Sequence, residues 1–136
     1  MATNALVDAG FLVALISRRD GNHDWATAQA PRFPPPWLTC EAVLSETSHL
    51  LGGHGTRSLA SLLRRGALVS SYRFSDDPDA VLRLLEKYSG VPMSFADACL
   101  VRMTETLNDP MLLTTDADFR IYRRHGRQII PCALPR

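Results

Sequence analysis

The residues most able to do chemistry in this chain are carboxylates standing at the ends of apolar runs. "NALVDAG" runs apolar into Asp8, "SFADACLVRM" sets Asp97 at the head of an apolar helix, and "MLLTTDADF" breaks from a strand into Asp116 and Asp118. Each has an ordinary explanation. Asp8 suits the N-cap of the helix after it, while Ser94-Phe-Ala-Asp97 and Thr115-Asp-Ala-Asp118 both fit a capping box. Acids in a first helical turn also suit the helix dipole. Glu46 is different, because it lies mid-helix in "CEAVLSETSHLL", on a stripe with Ala42, Val43, Leu50 and Leu51. A glutamate on an inward stripe is costly unless it is paired or coordinates a metal. The choice there is between an ion pair with an arginine and a cation.

If Asp8, Glu46, Asp97 and Asp116 converge, their repulsion needs an answer. Two carboxylates ~5 Å apart repel by ~3 kcal/mol at an effective dielectric near ~20. Hard divalent cations with oxygen ligands supply it, and Mg²⁺ takes a few carboxylates while keeping several waters. Carboxylates, a cation and open water positions suit hydrolysis of a phosphate ester.

Rival chemistries find little support. The four histidines form no HxH or HExxH pattern, and the three cysteines are far apart with no CxxC, so a zinc site and a disulfide framework are disfavoured. His23 in "GNHDWA" remains a candidate for the crevice mouth. No GxSxG elbow or GxxxxGK[ST] loop is present. Lys87 is the only lysine and lies mid-helix, and Gly10 stands two residues after Asp8. Phosphoacceptor receiver domains and haloacid-type phosphatases lose support on those grounds.

Elements that could carry the acids alternate along the chain. Strands are expected at Asn4 to Val7, in "RFPPPWLTC", "GALVSSYRF", "MLLTT" and "QIIPCAL". Helices are expected in "GFLVALISRRD", "NHDWATAQA", Cys40 to Leu51, Thr56 to Arg65, "DDPDAVLRLLEKYSG", "SFADACLVRMTETL" and "DADFRIYRRHG", with "GGHG" breaking the third from the fourth. Such alternation predicts an α/β fold with a mostly parallel central sheet flanked by helices, in one domain over residues 1–136. Ligands of such sheets bind outside the carboxyl ends of the strands, where Asp8 and Asp116 fall. No apolar stretch approaches the ~20 residues of a membrane span, and "MATNALVDAG" lacks the layout of a signal peptide, so the expected compartment is the cytoplasm.

"LVDAG", the glutamate of "VLSETSHLL", "SFADACL" and "LLTTDADF" resemble, in order and spacing, the four acidic blocks of the PIN-domain family, and of its VapC-like toxins in particular. The resemblance covers essentially the whole chain. It implies a PIN-like three-layer sandwich and an Mg²⁺- or Mn²⁺-dependent ribonuclease, the toxin of a toxin–antitoxin pair. Asp8, Asp97 and Asp116 would hold metal, Glu46 would contribute directly or through water, and Thr115 and Asp118 would support the site. Ala9 departs from the pattern, since Thr or Ser often follows the first aspartate. With activated water as nucleophile, the products would carry 5′-phosphate and 3′-hydroxyl ends.

Net charge is only +1, so no global field draws in nucleic acid, but "RIYRRHGR" interleaves an aromatic with arginines and offers an RNA-facing edge. Surplus apolar residues in the early helices point to an interface; by resemblance its occupants would be a second copy and a small antitoxin. The alternative is a non-catalytic PIN-like module that binds RNA or protein and keeps its acids as caps.

Overall fold

The computed structural model describes residues 3–136. Its first half contains β1 (Asn4–Val7), α1 (Ala9–Ile16), α2 (His23–Gln29), β2 (Trp37–Cys40), α3 (Glu41–Arg64) and β3 (Leu68–Tyr72). The second half contains α4 (Pro78–Lys87), α5 (Phe95–Thr106), β4 (Pro110–Leu113), β5 (Arg123–Arg124), β6 (Gln128–Ile129) and β7 (Cys132–Ala133). Five strands form one parallel sheet in the order β3-β2-β1-β4-β7. Its central strands are continuous apolar runs, with Leu6, Val7, Leu112 and Leu113 fully buried, as a sheet covered on both faces requires.

The order of the strands decides where a site can form. From β1 the chain steps to β2 and then β3 at one edge, and then returns to place β4 on the other side of β1. Right-handed crossovers put α1, α2 and α3 on one face and α4 and α5 on the other. The contacts agree: α1 packs on α2 and α3, and α4 packs on α5. This is the three-layer α/β sandwich expected from the sequence. Because the winding reverses between β1 and β4, a crevice opens at their carboxyl ends.

Aromatic packing anchors α1 to the sheet. Phe11 is fully buried and meets Trp25 and Trp37 edge to face, at centroid distances of 6.0 and 5.5 Å. The Trp37 indole N–H also donates to the Phe33 carbonyl at 2.7 Å, which ties down the proline-rich approach to β2. The expected break after Leu51 is present: Gly52 (φ 62°, ψ −156°) kinks α3, in a region of backbone space open essentially to glycine alone.

Residues 116–126 differ from the expected helix. Ala117–Arg120 make one 3-10 turn, and β5 and β6 then form an antiparallel hairpin with Arg123 opposite Ile129. His125 and Gly126 both have positive φ, 52° and 80°, so Gly126 closes a hairpin rather than ending a helix. The arginines read as an RNA-facing edge are partly engaged within the protein. Arg124 donates to the carbonyls of Thr104 and Leu107 at the end of α5, and Arg123 donates to those of Arg120, Ile121 and Tyr122. "QIIPCAL" accordingly splits between β6 and β7. Among the described residues no helix is long and apolar enough to cross a membrane.

Replacing Phe11 by Ala is expected to destabilise the fold by about 3–5 kcal/mol. Urea unfolding followed by tryptophan fluorescence measures it; a loss under about 1 kcal/mol would mean that α1 is held by something other than this cluster.

Candidate active site

Asp8 follows β1 directly and caps α1. Its Oδ1 accepts from the Ala9 N–H at 2.7 Å, and its Oδ2 accepts from the Thr114 hydroxyl at 2.8 Å. Only 6% of the residue is exposed. Asp97, 7% exposed, forms the expected capping box: its N–H donates to Ser94 Oγ at 3.0 Å while its Oδ2 accepts from the Ser94 N–H at 3.1 Å. The same Oδ2 accepts from the Tyr122 hydroxyl at 3.4 Å. Both ordinary explanations therefore hold, and both acids are buried besides.

The cap expected at Asp118 falls to Asp116 instead. Asp116 Oδ1 accepts from the Asp118 N–H at 2.9 Å, so Asp116 itself caps the 3-10 turn, and the capping box expected from Thr115 to Asp118 does not form. The hydroxyl at the site belongs to Thr114 rather than Thr115: it donates to Asp8 and accepts from the Asp116 N–H at 3.0 Å. Thr115 lies against the first turn of α1, where a Cβ on Gly10 would come within 2.1 Å of its Oγ1. Gly10 is thus needed for a close approach.

Glu46 is a correction. It is exposed, not inward-facing. The buried stripe of α3 runs through Val43, Thr47, Gly55, Leu59 and Leu62, and Leu50 is 57% exposed. Thr47 belongs to the inner face because its hydroxyl donates to the Val43 carbonyl at 2.7 Å. Glu46 lies one position round the helix, and its charge still acts on Asp8 and Asp97. It belongs to no ion pair among the described residues. His23 is also placed elsewhere: its Nδ1 bonds the Ala14 carbonyl at 2.8 Å, joining α2 to the far end of α1.

The electrostatics draw the acids into one group. Burial pushes the Asp8 carboxyl up from 3.8 to about 6, against its bonds from Thr114 and Ala9 and with help from the charges of Asp97 and Glu46. Asp97 is raised too, by burial first and then by Asp116 and Glu46, against its bonds with Ser94. Tyr122 is raised by burial and by Asp97, Asp118 and Asp116. Among the described residues no Lys or Arg pairs with Asp8, Asp97 or Asp116. Nor are any three His, Cys, Asp or Glu side chains close enough to close on a cation as they stand. The donor set nevertheless fits a hard cation chemically: it is all oxygen, and Asp97 Oδ1 and Asp116 Oδ2 accept no hydrogen bond among the described residues.

Residues 5–124 match the family described as the PIN domain. This chain belongs to the PIN-domain family. Among solved structures, that of Mycobacterium tuberculosis VapC20, a sarcin–ricin loop cleaving toxin, superposes with a TM-score of 0.73 over 85% of this chain and 92% of that one, at 24% sequence identity. No curated protein matches the sequence.

Two residues of this PIN domain's site escaped the sequence reading. Thr114 reaches Asp8, and its place directly after two fully buried leucines is the available signal. Tyr122, which the arginine-rich pattern of its neighbours places on a surface edge, is fully buried beneath Asp97, between Tyr88 and Phe119.

The raised Asp8 carboxyl carries a stability consequence. Since the folded value lies above the unfolded one, stability from the neutral acid is complete below about pH 4 and lost as pH rises through about 6. A shift of about two units corresponds to about 3 kcal/mol. Asp8→Asn keeps a capping oxygen, so with chelator present it is expected to raise stability at pH 7 by ~1–3 kcal/mol and to flatten the fall between about pH 4 and 7. Denaturant unfolding across that range measures both; identical curves for the two proteins would show that Asp8 carries no burial penalty.

Proposed function

We propose that this PIN domain is a divalent-metal-dependent endoribonuclease and the toxin of a toxin–antitoxin pair. The observation carrying this reading is that Asp8 and Asp97 are buried side chains at the crevice with no cationic side chain paired to them among the described residues. Capping explains where each acid lies in the chain, but a cap at a helix start has no need to be buried next to like charges. A divalent cation removes that conflict.

Asp8, Asp97 and Asp116 would hold Mg²⁺ or Mn²⁺. When bound, the cation supplies charge neutralisation, activates water for attack on the phosphodiester and stabilises the leaving oxygen. The chain's own residues prepare the site. Thr114 holds Asp8 Oδ2 and the Asp116 backbone together. Tyr122 and Ser94 fix Asp97 Oδ2, leaving Oδ1 for the cation. Thr115 and Gly10 set the spacing between the β4 loop and α1, and Asp118 adds negative charge felt by Tyr122, which bonds Asp97. Glu46, exposed at the mouth, orients water or substrate. Attack by water rather than a ribose hydroxyl leaves 5′-phosphate and 3′-hydroxyl ends.

VapC20, named as cleaving the sarcin–ricin loop, makes loop RNA the first substrate to try, since unpaired bases offer the edges proteins read. The groove between α1 and α3, lined by Val13, Ile16, Leu50 and Leu51 with Arg18 and Arg19 at its side, suits a small antitoxin, and an apolar surface of this kind also suits a homodimer. One observation favours a non-catalytic module instead: the acids serve as caps and do not close on a cation unaided.

The deciding experiment offers a structured RNA pool to antitoxin-free protein with Mn²⁺ or chelator. Metal-dependent cutting is expected, with Asp97→Asn reduced to the chelator level at unchanged circular dichroism. Equal cutting by both proteins would identify a contaminant. No cutting together with no calorimetric Mn²⁺ binding would favour the non-catalytic module.

A further inference from the structure

A second concavity lies beside the acids, at the carboxyl ends of β2 and β3. Its volume is about 610 Å³ and its walls include Glu41, Tyr72, Arg73, Phe74, Phe95 and Cys99. That size is in the range of ligand clefts, roughly 300–1,000 Å³. Phe95 and Cys99 flank Asp97 on α5, so the pocket and the acidic crevice share one helix start.

Its chemistry is distinctive. Phe95 is 43% exposed, an unusual setting for a large aromatic at the first position of a helix. It is braced edge to face by Phe74 at a centroid distance of 4.9 Å, which leaves ring surface available for stacking. Arg73 is a solvent-facing cation whose contact with Asp76 is long, at 3.8 Å. The Tyr72 hydroxyl is buried without a hydrogen-bond partner among the described residues, an unmet polar group of the kind that normally acquires one. Glu41 in the same wall opposes Arg73, so a phosphate gains little by entering. A flat, neutral, polar-edged ring suits all of these features.

We propose that this pocket receives a nucleobase of the RNA, stacked on Phe95, from a nucleotide flanking the phosphate at the acidic site, with Arg73 meeting the adjoining backbone. The proposal deepens the nuclease reading and rests on it for the identity of the strand, but binding can be measured without cleavage.

The probe is a set of single-stranded RNA octamers carrying 2-aminopurine at each position in turn, titrated with full-length Asp97→Asn protein so that nothing is cut. Stacking on Phe95 should quench the fluorophore at one or two positions, and Phe95→Ala in that background should weaken binding about 5- to 150-fold and abolish the quench, the span expected for one lost base–aromatic stack. Phe95→Leu retains an apolar contact with Phe74 and should behave like the Ala variant, whereas Phe95→Trp should restore both signals. Arg73→Gln should leave the quench in place and reduce the slope of log affinity against log salt by about 0.7. The proposal is overturned if the octamers do not bind, or if Phe95→Leu, folded by circular dichroism, binds and quenches like its parent. Normal binding with wild-type protein that never cuts would instead count against the nuclease reading alone and leave the base pocket standing.

Discussion

The parallel pairing of β4 with β1 determines the upper end of this molecule. Four residues pair in register, from Asn4 with Pro110 to Val7 with Leu113, so the residues after each strand emerge side by side: Asp8 from one, Thr114 to Asp116 from the other. The Asp8 N–H continues the ladder to the Leu113 carbonyl at 3.1 Å, and Thr114 closes it with its hydroxyl. A slip of one residue would turn Leu112 and Leu113 to opposite faces and carry the threonine away from the carboxylate. Apolar packing of the sheet therefore sets carboxylate spacing.

The caps make a second economy. Asp8, Asp97 and Asp116 each cap a helical turn by accepting an N–H bond, and at Asp8 and Asp97 those bonds oppose the rise in carboxyl pKa that burial causes. Local structure thus keeps these two acids nearer to ionised than their depth alone would allow. Tyr122 donates to Asp97 from below, which links the hairpin region to the site.

Much of this was legible in the amino-acid order. Apolar runs bounded by Gly, Pro or acid marked β1, β2, β3 and β4, and the Ser94 to Asp97 box marked the start of α5, because these signals are local. The readings that failed needed knowledge of distant partners. The apolar pattern puts Glu46 on the inner side of α3 because Thr47 reads as polar, whereas its hydroxyl bonds the Val43 carbonyl and Thr47 takes that inner place. Residues 116–126 have helical composition, but the Asp116 side chain captures the Asp118 N–H and Arg124 finds the end of α5, so tertiary contacts override propensity. Two adjacent threonines at a strand end look alike in sequence, and only the fold shows that Thr114 reaches Asp8 while Thr115 lies against Gly10.

The double duty of the aspartates has a genetic consequence. Asparagine serves nearly as well as aspartate in a cap, and the two codons differ by a single G-to-A transition. A charge can therefore be erased from Asp8, Asp97 or Asp116 by one base change while the architecture around it persists. Under the proposed nuclease reading, loss of chemistry and loss of fold are separable here, and a lineage burdened by cleavage would have a short mutational path to a well-folded, silent copy that still occupies whatever surface the active form recognised.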